Sequence, residues 1–227
     1  MVRIHVPQPN TFHADVLSRA YNRDMEIPAF LYKRNIVSDI VQGVILGCVL
    51  AFITVMLLIN HEVKTIQATV NGWSATFACS EPDSSMLLRD ACAKILPAAN
   101  SALEAAYWTT TVNSNGQSLS GEHQYLLHFP KGDLPPNHAF WSLTLTDLKG
   151  YMMANPANRY SLNDLSNLVP NADGSIDIYI QSTAPVGNQP NWLPAPSGDF
   201  KLWLRAYVPD QTILNGEYEV PPVIQAK

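Results

Sequence analysis

A chain of 227 residues, 47% of them apolar, is long enough to bury one substantial core, and a net charge of -5 with a pI near 5.6 leaves no basic footprint for a nucleic-acid backbone. DNA and RNA are therefore set aside as partners. The 17 prolines, most of them from residue 130 onward, fit short strands joined by ordered loops better than a helical bundle.

The first element in the chain is apolar throughout. Between Ile40 and Ile59 the sequence reads IVQGVILGCVLAFITVMLLI, with no charge and with Gln42 and Thr54 as its clearly polar side chains. At about 1.5 Å per residue, such a run crosses roughly 30 Å of hydrocarbon as a helix that satisfies its own backbone. The expected transmembrane helix covers residues 37–59, bounded by Val37 and Ile59, after a tail of residues 1–36. Arg3, Arg19, Arg23, Lys33 and Arg34 precede it, whereas the stretch just beyond it offers Lys64. The positive-inside rule then places the tail in the cytoplasm and the remainder on the periplasmic or equivalent side of the inner membrane. A cleavable signal peptide calls for a shorter lead, a shorter apolar stretch and a small-x-small site, none of which Asn60-His61-Glu62-Val63-Lys64 supplies. Gly43 and Gly47 form a GxxxG through which two such helices could meet as a homo-oligomer, although glycine is common in membrane spans.

Residues 60–76 read as a stalk or first strand, with Asn71-Gly72 as a turn before Trp73. Residues 77–106 read as helical. Ser80 is the expected cap, Pro82 falls in the first turn, and Leu87, Ala91 and Ile95 with Leu88, Cys92 and Leu96 build an apolar face. Pro97 ends that helix, and residues 101–106 read as a second short one. Cys48 lies in the span, while Cys79 and Cys92 fall in the outer domain, where an oxidising compartment lets a Cys79–Cys92 disulfide persist. The competing reading is two buried thiols, since Cys92 also fits the apolar face.

From residue 107 to 227 the pattern changes to short alternating runs separated by turns. Residues 107–112 lead to Asn115-Gly116, residues 123–129 to Lys131-Gly132-Asp133, and residues 140–147 to Lys149-Gly150, as hairpins would. Residues 175–181 and 200–208 are two more strands, whose Ile176, Ile178 and Ile180, and Leu202, Leu204 and Ala206, face one core. The expected fold is a mainly β, antiparallel sandwich preceded by one or two short helices.

The sequence lacks a GxSxG elbow, an HExxH pair, a P-loop and a glycine-rich dinucleotide turn. His123 and His128 share one predicted strand at an odd separation and so point to opposite faces, which disfavours a shared metal. No metal and no cofactor is expected. Asp147 and Asp173 border strands and read as turn formers. Arg205 stands inside the apolar run KLWLRAY, where a guanidinium needs a carboxylate or several carbonyls; a structural clamp and a ligand contact are the two readings. Trp141, Trp192 and Trp203 either pack the core or stack a ligand.

Several short strings occur in a specific order: Phe140-Trp141-Ser142-Leu143-Thr144-Leu145, Asn155-Pro156, Asn158-Arg159-Tyr160-Ser161, Asp173-Gly174-Ser175, Asn191-Trp192-Leu193-Pro194-Ala195-Pro196 and Leu204-Arg205-Ala206-Tyr207. Together with Gly116, Leu119, Gly121, Tyr125 and Pro135-Pro136, this order resembles domain-of-unknown-function family number 1214 over about residues 70–225. The resemblance implies a jelly-roll-like sandwich in exported or membrane-anchored prokaryotic proteins, and it implies no activity. Thr146 stands where that family commonly has an aromatic residue, and Val208 and Tyr218 where it frequently has Trp. Pro194 and Pro196 make residues 191–196 read as a rigid loop that Trp192 locks over the sandwich end.

The candidate ligand or structural cluster is thus Trp141, Asp147, Arg159, Tyr160, Asp173, Trp192, Arg205 and Tyr207. A noncatalytic, membrane-tethered binding or interaction module is the leading reading. The alternatives are an envelope-polymer hydrolase or lyase with Asp147, Arg159 and Asp173 converging at one sandwich end, and a structural envelope subunit.

Overall fold

The structure, a computed structural model, describes residues 36–97 and 99–226. The expected cytoplasmic tail, with Arg3, Arg19, Arg23, Lys33 and Arg34, lies outside the described residues. The chain divides into two compact units, Met1–Thr54 and Val55–Lys227, and the division falls within the first helix.

That helix, α1 (Ile36–Ile66), is 31 residues long, about 46 Å at the α-helical rise. It is long and apolar enough to cross a membrane, and none of its apolar window is buried by protein. In the first unit its polar side chains turn back onto the helix itself. Thr54 Oγ1 donates to the Leu50 carbonyl at 2.8 Å, and Gln42 Nε2 donates to Ser38 Oγ at 3.2 Å. Nothing packs within 4 Å of a side chain built at Gly43 or Gly47.

In the second unit, α1 runs on to Ile66 and a hairpin of β1 (Ala68–Val70) and β2 (Trp73–Ala75) follows, so the stretch read as stalk or strand contains both. Asn71 and Gly72 make its turn with φ of 54° and 83°, the left-handed pair a two-residue hairpin needs. Helix α2 (Met86–Ile95) starts later than Ser80 and Pro82 implied. Ser85 is the cap, accepting from the Leu88 N–H at 3.1 Å, while Pro82 lies upstream and its carbonyl accepts from Arg89. The second short helix does not form: a turn occupies 102–104, and β3 (Ala105–Thr110) begins at once. Ala106 and Trp108 are drawn into the sheet core, which overrides the helical preference of a local Leu-Glu-Ala-Ala run.

The remaining elements are β4 (Tyr125–Phe129), β5 (Asn137–Thr146), β6 (Ser161–Asn163), β7 (Ile176–Gln181), β8 (Trp192–Pro194), β9 (Lys201–Pro209), the single-turn α3 (Gln211–Leu214) and β10 (Val223–Gln225). They form a six-stranded sheet in the order β1-β2-β3-β9-β5-β6 and a four-stranded sheet in the order β10-β4-β7-β8. Inward residues of both sheets, among them Trp108, Leu127, Phe129, Leu143, Ile178, Ile180, Leu202 and Leu204, make one core, so the unit is mainly β and sandwich-like.

Two expectations are corrected by this topology. The hairpins are met in part: Val112 bridges Ser118 antiparallel around Asn115-Gly116 and β5 pairs with the next strand, β6, whereas β4, past Lys131-Gly132-Asp133, pairs with β7 and β10 instead of with β5. Gly116, Gly132 and Gly150 turn the chain with positive φ, but β4 and β5 belong to different sheets, so β4 takes its ladder partners from distant segments of its own sheet. Residues 192–194, read as part of a loop, are strand β8, which pairs parallel with β7, so the sandwich is not wholly antiparallel. Pro194 is tolerated because β8 is an edge strand.

Candidate functional site

Strand β9 is flanked by β3 and β5 along its length, and its alternation sorts side chains onto two faces. Leu202, Leu204 and Ala206 enter the sandwich core. Lys201, Trp203, Arg205 and Tyr207 stand half-buried on the opposite, outer face. Cross-strand rungs complete that face: Tyr107 and Ser142 flank Arg205, Thr109 and Thr144 flank Trp203, and Phe140 lies beside Tyr207 with the rings stacked at 4.3 Å. Beyond Tyr207, Val208 takes a φ of 49°, costly for a β-branched residue, at a bulge between the Asn137 and Phe140 pairs of β5.

A second, smaller core roofs this face. Cys79, Cys92 and Leu96 cluster with Leu88, Ile95, Ala99 and Ile66, and pack against Tyr107 and Trp203. Cys79 and Cys92 are joined as a disulfide with their Cα atoms 5.6 Å apart. Between sheet and roof lies a cavity of about 520 Å³ bounded by the outward residues of β9, by Tyr107, by Lys94 and the segment after it, and by Leu148-Lys149-Gly150. Lys94 donates to the Asn60 side chain.

The electrostatics of the lining are one-sided. Lys201 Nζ sits 4.1 Å from the Trp203 ring centroid and Arg205 Cζ 5.6 Å from it, so one indole meets two cations. Trp203 Nε1 donates to Thr146 Oγ1 at 2.9 Å, and Arg205 Nη1 donates to Thr144 Oγ1 at 3.1 Å. Burial holds the Lys201 amine below its ordinary pKa. Among the described residues no carboxylate lines the cavity, and no nucleophile paired with a base does.

Of the eight residues of the candidate cluster, Arg205 and Tyr207 meet here, beside Trp203, which the sequence also marked for packing or stacking, and the other six lie elsewhere. Among the described residues Arg205 has neither a carboxylate nor a set of carbonyls, because strand alternation carries it out of the core; its acceptor there is the Thr144 hydroxyl. Arg159 is the residue that acts as a clamp, with Nη1 donating to the carbonyls of Gln189, Pro190 and Trp192, the last at 2.9 Å. Trp141 is buried against Phe129 in the sandwich core. Asp147 accepts from the Lys149 and Tyr151 N–H groups, and Asp173 accepts from the Ser175 N–H and hydroxyl, which lowers the Asp173 pKa. No hydrogen bond, ion pair or cavity links Asp147, Arg159 and Asp173 among the described residues. Trp192 donates to the Gln181 carbonyl at 2.8 Å and borders a separate cavity of about 250 Å³ with Asn155, Pro156 and Pro194. Tyr160 is half-buried, and its backbone carbonyl accepts from Leu145. His123 precedes β4 and packs edge-on to Tyr125, while His128 Nδ1 lies 2.6 Å from Asp177 Oδ1 on the neighbouring strand. Lys94, Tyr107, Lys149 and Lys201 were not singled out from sequence. For Lys201 the signal was present: in KLWLRAY the residues Lys201, Trp203, Arg205 and Tyr207 recur at period two, opposite the apolar set.

An apolar helix followed by a mainly β sandwich-like unit, with a cation-lined cavity on the outer face of one sheet, defines the class. Residues 104–211 match the family described as Protein of unknown function (DUF1214). That stretch carries Tyr107, residues 148–150 and the four outward residues of β9, whereas Lys94 and both bonded cysteines precede it. Among solved structures, the VPA0106 protein from Vibrio parahaemolyticus is similar at a TM-score of 0.54 and 29% identity, over 64% of this chain and 36% of that one. A putative uncharacterized protein from Burkholderia cenocepacia is similar at 0.40 and 17%, over 54% of this chain and 30% of that one. The match thus spans about a third of either structure's length. No curated protein matches the chain.

Proposed function

We propose that this protein is a membrane-tethered, noncatalytic binding module whose N-terminal tail is cytoplasmic, whose helix anchors it in the inner membrane, and whose sandwich works on the periplasmic or equivalent side. The observation that carries the reading is the row Lys201, Trp203, Arg205 and Tyr207 facing a cavity of about 520 Å³, within the usual range for small-molecule sites. The anchor is supported by the unburied apolar length of α1, and the outer location by the basic residues that precede it. Polar groups gathered on the outer face of a sheet, away from the sandwich core, are placed where they can meet a ligand. The first test is topological: a reporter active only outside the cytoplasm should work when fused after Lys227 and fail when fused before Ile36. The reverse pattern refutes the outer location. The second is a thermal-shift screen of the full chain in detergent against envelope sugars, small organic acids and lipids, in which a ligand at about a hundred times its Kd adds about 2.7 kcal/mol. A screen without a single stabilising compound argues against a binding role.

A further inference from the structure

Among the described residues, the cations around the cavity have no carboxylate partner. Lys94, Lys149, Lys201 and Arg205 all line it, and among the described residues none of them forms an ion pair with Asp or Glu. A guanidinium carries five N–H donors, and Thr144 is the protein acceptor that Arg205 has. Lys201 and Arg205 are half-buried and lose hydration, whereas Lys94 and Lys149 stand exposed at the rim, so the half-buried pair is unfavourable until a counter-charge enters. The lowered pKa of Lys201, caused by burial, is the same penalty seen at one group. The space is far larger than a bare ion requires, since a water molecule takes about 30 Å³, and its remaining walls are Tyr107, Tyr207, Leu148 and Ile95.

We propose that the cavity binds an oxyanion, a phosphate, sulfate or carboxylate group, held by Arg205 and Lys201 and carried on an organic group that rests against Tyr107, Tyr207 and Leu148. Arg205 supplies the planar fork that fits two oxygens of such a group, and Lys201 a point charge beside it. The inference rests on the binding-module reading and narrows it, because that reading requires only some ligand.

The test uses the full chain in nanodiscs of neutral phosphatidylcholine, titrated calorimetrically with phenyl phosphate, inorganic phosphate and phenyl β-glucoside. Phenyl phosphate should bind more tightly than either of the others. Arg205→Met and Lys201→Met should each weaken it about tenfold or more, and Arg205→Lys less than Arg205→Met, as expected for charge-assisted hydrogen bonds. Lys131→Met, a change at an exposed lysine outside the cavity, should leave affinity unchanged. Lys201→Met keeps the test informative if Arg205→Met misfolds, since Lys201 pairs with β5 alone whereas Arg205 is flanked by both β3 and β5. A parallel arm in phosphatidylglycerol nanodiscs separates the sources: weakened phenyl phosphate binding identifies a lipid headgroup as the competing anion, and unchanged binding identifies a diffusible one, both consistent with the proposal. Glucoside binding as tight as that of phenyl phosphate, and indifferent to both Met variants, overturns the oxyanion and leaves the binding module standing. Failure of phenyl phosphate and inorganic phosphate to bind in either nanodisc overturns it as well, and the thermal-shift screen then decides the broader reading on its own.

Discussion

Reducing the Cys79–Cys92 bond should loosen the roof of the cavity without unfolding the sandwich. The two cysteines are 13 residues apart in sequence, and chain-entropy estimates for a ring of that size give about 3 kcal/mol. In a domain of this length each kcal/mol moves Tm by about 2–4 °C, so reduction should lower the melting temperature by about 6–12 °C. The bond belongs to the small cluster of Leu96, Leu88 and Ile95 against Tyr107 and Trp203, whereas the main core of Trp108, Leu143 and Leu204 contains no cysteine. The early part of the thermal transition, read by near-UV circular dichroism of the full chain in detergent, should therefore move before the far-UV β signal. Mass spectrometry of non-reduced material, with thiols blocked at lysis, should yield the linked Cys79 and Cys92 peptides. A Cys79→Ala, Cys92→Ala double variant should melt low and be insensitive to reductant. Free, alkylated Cys79 and Cys92 in native protein, or a reductant effect below about 2 °C, would refute the reasoning and the oxidising location along with it.

Gly121 is a second point of failure. A Cβ there would lie 1.4 Å from the Pro196 carbonyl oxygen, and the Gly121 N–H is already bonded to the Gly198 carbonyl, so the two loops cannot part cheaply. Gly121→Ala should cost about 3 kcal/mol or more, and a Tm within about 2 °C of the parent contradicts that. Tyr218 sets an alkaline limit. It packs edge-on against Trp108 and donates to the Asp133 carbonyl at 3.1 Å, and burial first, the Asp133 charge second, push its phenol well above the usual range. The folded state thus keeps a proton that the unfolded chain releases near pH 10, so this contribution is complete below about pH 10 and is lost as pH rises further. Tyr218→Phe should lose about 1 kcal/mol at neutral pH through the missing hydrogen bond, and its Tm should fall less steeply than the parent's at alkaline pH. Parallel alkaline slopes for the two proteins would count against the assignment.

The apolar helix, the β-rich composition and the inward faces of β7 and β9 are local properties, carried by runs of like residues and by a period of two, and they can be read from the chain in order. The same is true of Asn71-Gly72, where the left-handed conformation is demanded by the turn and supplied by those two residues. Strand pairing was not legible in this way. Of the turns after residues 112, 129 and 147, the first closes on Ser118 and the last leads to β6, but the one after 129 enters the other sheet, and closing a two-sheet core brings β9 between β3 and β5 from far along the chain. The fate of the arginines followed from that pairing. A clamp and a ligand contact look alike in a strand such as KLWLRAY, because the sequence says which residues share a face but not what lies above it. Only the tertiary structure puts Arg159 against the carbonyls of Gln189 and Trp192, and roofs Arg205 with a disulfide-bonded helix that brings Lys94 to a cavity whose described lining holds no carboxylate. Side-chain alternation is set by backbone geometry and is therefore written locally, whereas a cavity and its charge balance are sums over distant segments that no window of sequence contains.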